Sequence, residues 1–325
     1  MLLGSRLLTG AAVVVGVPAL IVGYIALVEW LVARLPFVWQ PKVRPWLWLL
    51  PALVILGFFL LYPAVDTFYL SLFDTTGKQY VGLQNYTYFF TTQGTLIALR
   101  NTAYWLIFLT IFTVALGLIF AILFDRVKYE AAAKGILFLP MAISFTAASI
   151  IWKLQYDYQP PGAAQTGTLN QIITLLGGQP VAWMVDPRVN NLALNWVGIW
   201  MWTGFALVIL SAGLKSIPGD IIEAARVDGA NEWQILRSIM IPMMSTTIIV
   251  VGTTMVINAL KIFDIIYVMT GGFYNTDVLA VHMYIEMFDN LQFGRASAVA
   301  TLLLITIIPF MLINIRRFRE QEAMR

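Results

Sequence analysis

The residues of this chain that could carry out chemistry are few and far apart. His282 is the only histidine, and the chain has no cysteine. Without cysteine, a thiolate metal site and a cysteine nucleophile lack the residue they need. A single histidine makes a metal site or a Ser-His catalytic site improbable, and we expect His282 to lie on the surface of a helix. The sequence G-x4-G-K-[ST], which cradles nucleotide phosphates, does not occur either. The sequence predicts no metal site, no cofactor and no ATP hydrolysis in this chain.

Three polar residues stand out because they end or follow a long apolar stretch: Asn258, Lys261 and Asp264. Polar groups within a membrane span are costly to bury, so such residues are functional candidates. The Asn258 amide carries both donors and an acceptor, which suits the hydroxyl groups of a sugar. Lys261 and Asp264 are three residues apart, and they could equally form a structural ion pair on one face of a helix.

The elements that must position these residues follow from the composition. Hydrophobic residues make up 60% of the 325 residues and charged residues only 11%, and the mean hydropathy is +0.80. An average soluble domain has about 25% charged residues. This chain cannot cover itself with solvated groups, so a water-soluble enzyme is excluded. The net charge of +3 is small and no basic face is visible, which argues against a nucleic-acid partner.

Apolar stretches of membrane-spanning length recur along the chain. A helix needs about 20 apolar residues to cross the bilayer core while satisfying its own backbone. Seven stretches qualify: 11–33, 46–65, 101–124, 135–152, 189–214, 238–260 and 296–315. The alternation typical of barrel strands is missing. The sequence predicts an all-α, polytopic helical protein of the lipid bilayer, with a short helix near 168–176 and a helix along the membrane surface at 277–289.

The distribution of basic residues predicts the orientation. Segments 34–45, 125–134 and 215–237, together with the C-terminal tail, hold 13 of the 20 Lys and Arg residues. Because basic residues concentrate on the cytoplasmic side, we expect these segments in the cytoplasm and the N-terminus outside. Segment 11–33 could instead be a signal peptide. Its apolar stretch exceeds the usual length of about 7–15 residues and no small-residue cleavage site follows, which favours a retained helix.

The predicted cytoplasmic loop at 215–242 has a pattern of its own. Asp220 can cap a helix that contains Glu223 three residues later, as in an acidic capping box. Gly229 suits the position after that helix, because glycine adopts positive φ without strain. Asn231 can cap a second short helix before the next span. The pattern predicts two short helices at an angle. Three small residues near the bend would let another protein approach closely: Ala224, Ala225 and Ala230.

This loop resembles the EAA loop of binding-protein-dependent ABC importer permeases. The family pattern reads E-A-A-x3-G-x9-I-x-L-P; the matching residues here are Glu223, Ala224, Ala225, Gly229, Ile239 and Pro242, with Ile241 in place of leucine and Asp228 completing a D-G-A form. Segments that are similar to the carbohydrate-importing, maltose-permease-like branch are VGLQNY at 81–86, LRNTAYW at 99–105, GLKSIP at 213–218, FDIIYVMTGG at 263–272 and FGRASAVATLLLI at 293–305. Within that branch, the chain looks most like permeases for α-glucosides and glucosylglycerol.

The resemblance implies an architecture and a set of partners. A six-helix permease domain would cover 46–318, after an extra transmembrane helix and connector at 1–45 and before a cytoplasmic tail at 319–325. The loop at 215–242 would dock in a groove of an ATP-binding subunit. The complex would contain a second homologous permease, two ABC ATPase subunits that bind ATP and Mg, and an extracytoplasmic solute-binding protein. It would lie in a bacterial plasma (inner) membrane as a multi-pass assembly.

The resemblance also implies a pathway for a sugar-like solute. The positions carried over from the maltose-type site are Met201, Trp202, Phe205, Met255, Asn258, Ala259 and Ile262. Several of these are apolar where the maltose site is polar, so the second permease could supply most of the contacts. Two other classes compete at this stage. A secondary transporter would need carboxylates within its spans and inverted repeats, and the spans contain almost no carboxylate. A membrane-embedded enzyme would need a set of catalytic residues, and none is recognisable in the sequence.

Overall fold

The chain folds almost entirely into α-helices, as the composition predicts. The structure, a computed structural model, describes residues 2–125 and 127–323, and the side chains of 13–125 and 127–316. Within these residues the one β feature is an isolated bridge between Phe73 and Tyr80. The helices are α1 (Leu2–Ala33), α2 (Gln40–Leu70), α3 (Gln84–Thr91), α4 (Gln93–Asp125), α5 (Glu130–Ala142), α6 (Phe145–Gln155), α7 (Thr168–Leu175), α8 (Asn190–Lys215), α9 (Gly219–Val227), α10 (Glu232–Met243), α11 (Ser245–Leu260), α12 (Asp264–Met269), α13 (Leu279–Tyr284, continued by a π-helical turn at Ile285–Asp289) and α14 (Phe293–Ala323).

Five of the described helices are long and apolar enough to cross a membrane: α1, α2, α4, α8 and α14. Two further pairs of helices meet this standard only together. They are α5 with α6, bent by 98°, and α10 with α11, bent by 71°. Counting each bent pair as one span gives seven, the predicted number. The predicted short helices near 168–176 and 277–289 are present as α7 and α13.

The fourth predicted stretch, 135–152, is not one continuous helix. α5 tightens into a 3-10 turn at Leu139–Ala142 before α6 leaves in another direction. Ser144 caps α6, because its hydroxyl accepts a hydrogen bond from the Ala147 amide at 3.1 Å. Pro140 lies in the turn and cannot donate to a helical ladder. Hydropathy misses this break because no charged residue marks it.

The first two spans form a unit of their own. The chain divides into two compact units after Asp66, later than the predicted domain boundary at residue 45. Within the first unit, Arg44 pairs with the Glu29 carboxylate at 3.0 Å. The Trp48 indole donates to the same carboxylate at 3.2 Å. These bonds join α2 to α1, which explains why the second span belongs to this unit.

The core of the second unit lies where α4 and α8 cross. Trp105 and Leu109 on α4 are fully buried. They approach Gly198 so closely that a Cβ there would lie 2.8 Å from the Trp105 ring. Gly117 lies against Ala206 in the same way, with 2.6 Å between the two Cβ positions. Small residues at these crossings bring the helices close together. α4 and α8 therefore form the closely packed pair at the centre of the second unit.

Candidate coupling loop and solute pathway

The loop after α8 folds into the two short helices that its sequence predicts, α9 and α10. At the start of α10, the Asn231 side chain accepts a hydrogen bond from the Gln234 amide at 2.9 Å. The Gln234 side chain in turn accepts one from the Asn231 amide at 2.8 Å. This reciprocal pair is a capping box. The prediction that Asn231 caps the second helix is confirmed.

The start of α9 differs from the prediction. The residue before the helix is Pro218, and no side chain caps this end. Asp220 lies inside the first turn, where a carboxylate stabilises a helix through its dipole. The predicted capping box between Asp220 and Glu223 is therefore wrong. Proline has no backbone N–H to satisfy, and its φ is suited to the start of a helix. The helix therefore begins directly after Pro218, at Gly219, and Asp220 lies inside it instead of before it.

The bend between the two helices depends on the backbone of Gly229. Its φ is +85°. The Gly229 amide donates to Arg226 O at 3.1 Å, and the Ala230 amide donates to Ala225 O at 3.0 Å. Such bonds close the last turn of a helix before a left-handed residue. A Cβ at Gly229 would meet nothing within 4 Å, so glycine is required by backbone conformation and not by crowding. The predicted positive φ is confirmed.

One face of this loop is open. Glu223, Ala224 and Asp228 are exposed. So are two large apolar side chains, Val227 at 87% and Trp233 at 66%. Large exposed apolar side chains, tryptophan above all, are typical of protein–protein contacts. The sequence pattern does not single out Val227 and Trp233, because an apolar residue near a membrane span carries no distinct signal.

The opposite face of the loop packs on the protein itself. Ala225 and Ala230 contact the buried cluster that contains Ile235 and Leu214. Of the three small residues predicted to admit another protein, only Ala224 is open. Ala225 and Ala230 instead bring the loop close to its own helices. The last two residues of the EAA pattern lie in α10, where Ile239 is half-buried and Pro242 is exposed.

Ion pairs hold the loop at its bend and at its start. Arg226 pairs with Glu232 at 3.1 Å and so joins α9 to α10. At the end of α8, Lys215 pairs with Glu130 at 2.6 Å. Lys134 bonds to the same carboxylate and to a hydroxyl of α8. These contacts tie the N-terminus of α5 to the helix from which the loop leaves.

The predicted solute-pathway residues lie on α8, on α11 and in the turn after α11. Three are half-buried: Trp202, Phe205 and Asn258. Four are buried in the helical core: Met201, Met255, Ala259 and Ile262. In the conformation described, the buried four cannot touch a solute. Their assignment to the pathway stays a prediction.

A cavity of about 440 Å³ lies between α8 and α11. Phe205 is the one predicted pathway residue in its wall. The other lining residues are Ile209, Ala212, Gly213, Thr247, Val250, Val251 and Thr254. They continue from Phe205 towards the C-terminal end of α8, where the coupling loop begins. The sequence resemblance does not indicate them, because helix contacts decide which faces enclose the space.

Gly204 positions the wall of this pathway. It lies between Trp202 and Phe205 on α8, and a Cβ there would be 2.2 Å from the backbone oxygen of Leu137 on α5. The Trp202 ring packs between Phe145 at 6.0 Å and Phe205 at 5.7 Å. The backbones of α5 and α8 can approach each other this closely at Leu137 only because residue 204 has no side chain.

The polar residues at the end of α11 do not form the predicted pair. α11 ends at Leu260, the chain turns, and Asp264 opens α12. No ion pair joins Lys261 to Asp264 in the part of the chain that the structure describes. The two residues do not share a helix, so the spacing rule does not apply. Asn258 donates to Thr254 O at 2.9 Å, which leaves its amide oxygen for another group.

His282 is not the surface residue that we expect from sequence. Its side chain is only 12% exposed and its Nδ1 lies 2.8 Å from an Asp277 carboxylate oxygen. Its Nε2 lies 3.9 Å from Glu286. The reason is tertiary: α13 packs against α4, and Gly94 of α4 faces the imidazole ring. No group of three His, Cys, Asp or Glu side chains suited to a metal ion occurs among the described residues.

Residues of the LRNTAYW segment hold the loop before α13. The Asn101 amide donates to Asn275 O at 2.7 Å and to Asp277 O at 2.8 Å. The Thr102 hydroxyl accepts a hydrogen bond from the Leu279 amide at 3.0 Å. Asn275 has a φ of +61°, an uncommon conformation that these bonds fix. This segment therefore has a structural role at the ends of the spans.

The fold defines a polytopic helical membrane protein with a connector of two short helices between α8 and α11. The family model described as "Binding-protein-dependent transport system inner membrane component" matches residues 6–319. The chain therefore belongs to the family of binding-protein-dependent transport system inner membrane components. The match begins well before residue 46, so it includes α1.

Named relatives agree with this family. The chain is 54% identical over 275 residues to the "Osmoprotective compounds uptake permease protein GgtC" of Synechocystis, covering 85% of this chain and 99% of that protein. It is 45% identical over 283 residues to the "Alpha-glucoside transport system permease protein AglF" of Rhizobium meliloti, covering 87% and 84%. A solved bacterial alginate ABC transporter contains a chain with the same fold, with a TM-score of 0.72, 23% identity and coverage of 85% and 95%.

These findings decide between the competing classes. The chain is a multi-pass inner-membrane permease subunit of an ABC importer, and it is a transport component rather than an enzyme. Membership of this family implies an ATPase partner and a solute-binding protein. The secondary transporter and the membrane enzyme are thereby set aside.

Proposed function

We propose that this chain forms one half of the translocation pathway of an ATP-driven importer for glucosylglycerol or a related α-glucoside. A second homologous permease would form the other half. Two ABC ATPase subunits would bind ATP and Mg, and an extracytoplasmic binding protein would deliver the solute. The relatives named for osmoprotective compounds and for α-glucosides support this solute class.

The coupling loop is the observation that carries the proposal. Its open face exposes Glu223, Ala224 and Val227. In the orientation that the basic residues predict, this face would meet the cytoplasm. Its second helix continues through a 71° bend into α11, which lines the cavity. When the ATPase subunits close, a displacement of the loop would move α11 relative to α8. The spans would shift between inward-facing and outward-facing states because ATP and solute bind these states unequally.

The lining of the α8–α11 cavity favours a neutral solute. Its walls contain no charged side chain among the described residues, and Thr247 and Thr254 supply hydroxyl groups. Hydroxyls and aromatic faces such as that of Phe205 suit a sugar ring. An ionic solute would leave its charge unpaired there, which is costly.

Reconstitution of the complete transporter tests the proposal. The chain would be expressed with its partner subunits, purified through this subunit and placed in proteoliposomes with the binding protein. We expect an ATPase subunit to co-purify, and labelled glucosylglycerol or maltose to accumulate only with ATP and binding protein. Labelled methionine is the control solute and should not accumulate. Co-purification without uptake of either glucoside would contradict the solute class, whereas absence of an ATPase would contradict the coupling role.

A further inference from the structure

A second cavity, of about 330 Å³, lies at the opposite end of α4 and α8 from the coupling loop. We call it the outer cavity. Its wall includes Arg100, Tyr104 and Phe108 of α4, and Arg188, Asn191 and Asn195 at the start of α8. None of these residues belongs to the proposed pathway or to the coupling loop. The cavity therefore needs an explanation of its own.

The outer cavity lies where polar sequence meets apolar sequence. Arg100 directly precedes the apolar stretch 101–124, and Arg188 directly precedes the stretch 189–214. α4 and α8 both begin near this end, so the two arginines lie at one level. Basic residues at the ends of membrane spans lie at the depth of the lipid headgroups.

Of the two arginines in the outer cavity, one has no carboxylate partner among the described residues. Arg188 pairs with Asp186 at 2.6 Å, and its hydrogen bonds lower the pKa of that carboxyl to about 2. The pair is thus neutral. Arg100 donates to the Asn101 side chain at 3.1 Å, and no carboxylate of the described residues lies within 4.0 Å of its guanidinium. The cavity therefore carries a net positive charge at Arg100.

Two amide oxygens in the cavity wall have no partner. Asn195 is 98% buried, with 2% of its surface exposed. Its Nδ2 donates to Asn191 O at 2.9 Å, but its Oδ1 and that of Asn191 accept no hydrogen bond within the described residues. An unpaired buried acceptor is costly. A ligand with hydroxyl donors would satisfy these oxygens after a small rotation of the amides.

An aromatic row runs from the outer cavity along the outside of α4. Tyr104 and Phe108 have ring centres 6.3 Å apart, and Phe108 and Phe112 stack at 5.8 Å. Beside this row, Ile107 is 49% exposed and Ile111 is 58% exposed. The result is a polar, positively charged cavity that continues into an exposed apolar surface of α4. A lipid has this same division between headgroup and acyl chain.

We propose that the outer cavity binds the headgroup of an anionic glycerophospholipid. The phosphate would take a charge-assisted hydrogen bond from Arg100. The hydroxyl groups of a glycerol headgroup would donate to Asn191 and Asn195. An acyl chain would lie along Tyr104, Phe108 and Phe112. The bound lipid would fill the crossing between α4 and α8 at its outer end.

Lipid retention by the complete transporter tests this proposal. The purified complex would be exchanged into equal amounts of phosphatidylglycerol and phosphatidylcholine, and the retained lipids counted by native mass spectrometry. We expect enrichment of phosphatidylglycerol on the wild type. Arg100→Gln should lower this enrichment by about fivefold, the effect of one basic residue at a membrane surface. Arg100→Lys keeps the charge and should retain most of it.

Lys78→Gln is the matched control, because it removes one exposed positive charge from the same predicted side but outside the cavity. It should leave retention unchanged. Equal retention by the wild type and Arg100→Gln would overturn the proposal, as would displacement of the lipid by millimolar inorganic phosphate, which would indicate a simple anion site. Since the chain has no cysteine, Tyr104→Cys offers a further test. Efficient crosslinking to the second permease would show that protein covers this apolar surface, and would also overturn the proposal.

Discussion

The coupling loop and the solute pathway are built on opposite principles. The loop at 215–242 is held by contacts between near neighbours: a capping box at Asn231 and a left-handed turn at Gly229. The pathway is held by contacts between distant segments, such as Gly204 against Leu137. In the proposed mechanism the loop would move as a unit, and local bonds would preserve its shape. The pathway would change shape during transport, and packing between separate helices would allow this.

The difference also explains why one region resembles its family more plainly than the other. Local bonds need particular residues at fixed spacing, so the EAA pattern is legible in sequence. Packing needs only compatible volumes across a helix crossing. The sequence alone therefore cannot distinguish a pathway role from a packing role for Met201, Met255 and Ala259. All three are buried in the conformation described, and their pathway role stays a prediction.

The largest effect should come from closing the pathway crossing. Gly204→Ala would put a Cβ 2.2 Å from Leu137 O, and backbone cannot yield as a flexible side chain can. We expect a loss of about 1–3 kcal/mol of stability, as for overpacked cores, together with loss of transport. Thermal unfolding of the purified complex measures this. Gly252→Ala is the control, since a Cβ at this helical position meets nothing within 4 Å; an equal loss there would show that α8 does not depend on this contact.

The next largest effect should come from the coupling loop. Gly229→Val would force a β-branched residue to a φ of +85°, at a cost of about 1–2 kcal/mol, and would tilt α10 away from its partner. We expect normal membrane insertion but loss of bound ATPase and of uptake. Gly219→Val is the control in the same loop, because Gly219 has no positive φ and open space around it. Wild-type assembly and uptake in Gly229→Val would remove the coupling role of the bend.

A smaller effect is expected from Asn258→Leu in the pathway. We expect the amide oxygen of Asn258 to accept a hydrogen bond from a solute hydroxyl. The loss of one hydrogen bond corresponds to about a threefold to tenfold weaker affinity. The apparent affinity for the solute should fall while the ATPase remains bound. Thr253→Val on the same helix is the control, because its hydroxyl bonds to Ile249 O within α11. Unchanged uptake kinetics in Asn258→Leu would take this residue out of the pathway.

The smallest effect should come from Glu223→Ala on the open face of the loop. Glu223 is exposed and caps no helix in the structure, so only its contact with the ATPase is lost. Exposed polar contacts contribute about 0.2–1 kcal/mol, which corresponds to about a twofold weakening of ATPase binding. Titration of the purified ATPase against the membrane subunits would measure it. Asp220→Ala, which removes the same charge from the first turn of α9, should weaken binding less. An equal effect would show that Glu223 contributes to ATPase binding only through the net charge of the loop.

The sequence by itself determined the membrane class, the two short helices of the coupling loop and the bend at Gly229 between them. It also indicated seven spans, the number obtained when each bent pair counts as one. Hydrophobic length and capping act over a few neighbouring residues, so Gly229 and Asn231 could be interpreted without knowing what surrounds them. Tertiary structure alone decided the burial of His282 and the residues that line the α8–α11 cavity. Each of these depends on which helix another helix meets. In a chain with so many apolar residues, many helix faces are chemically equivalent, and only their packing distinguishes the face of a pathway from the face of a core.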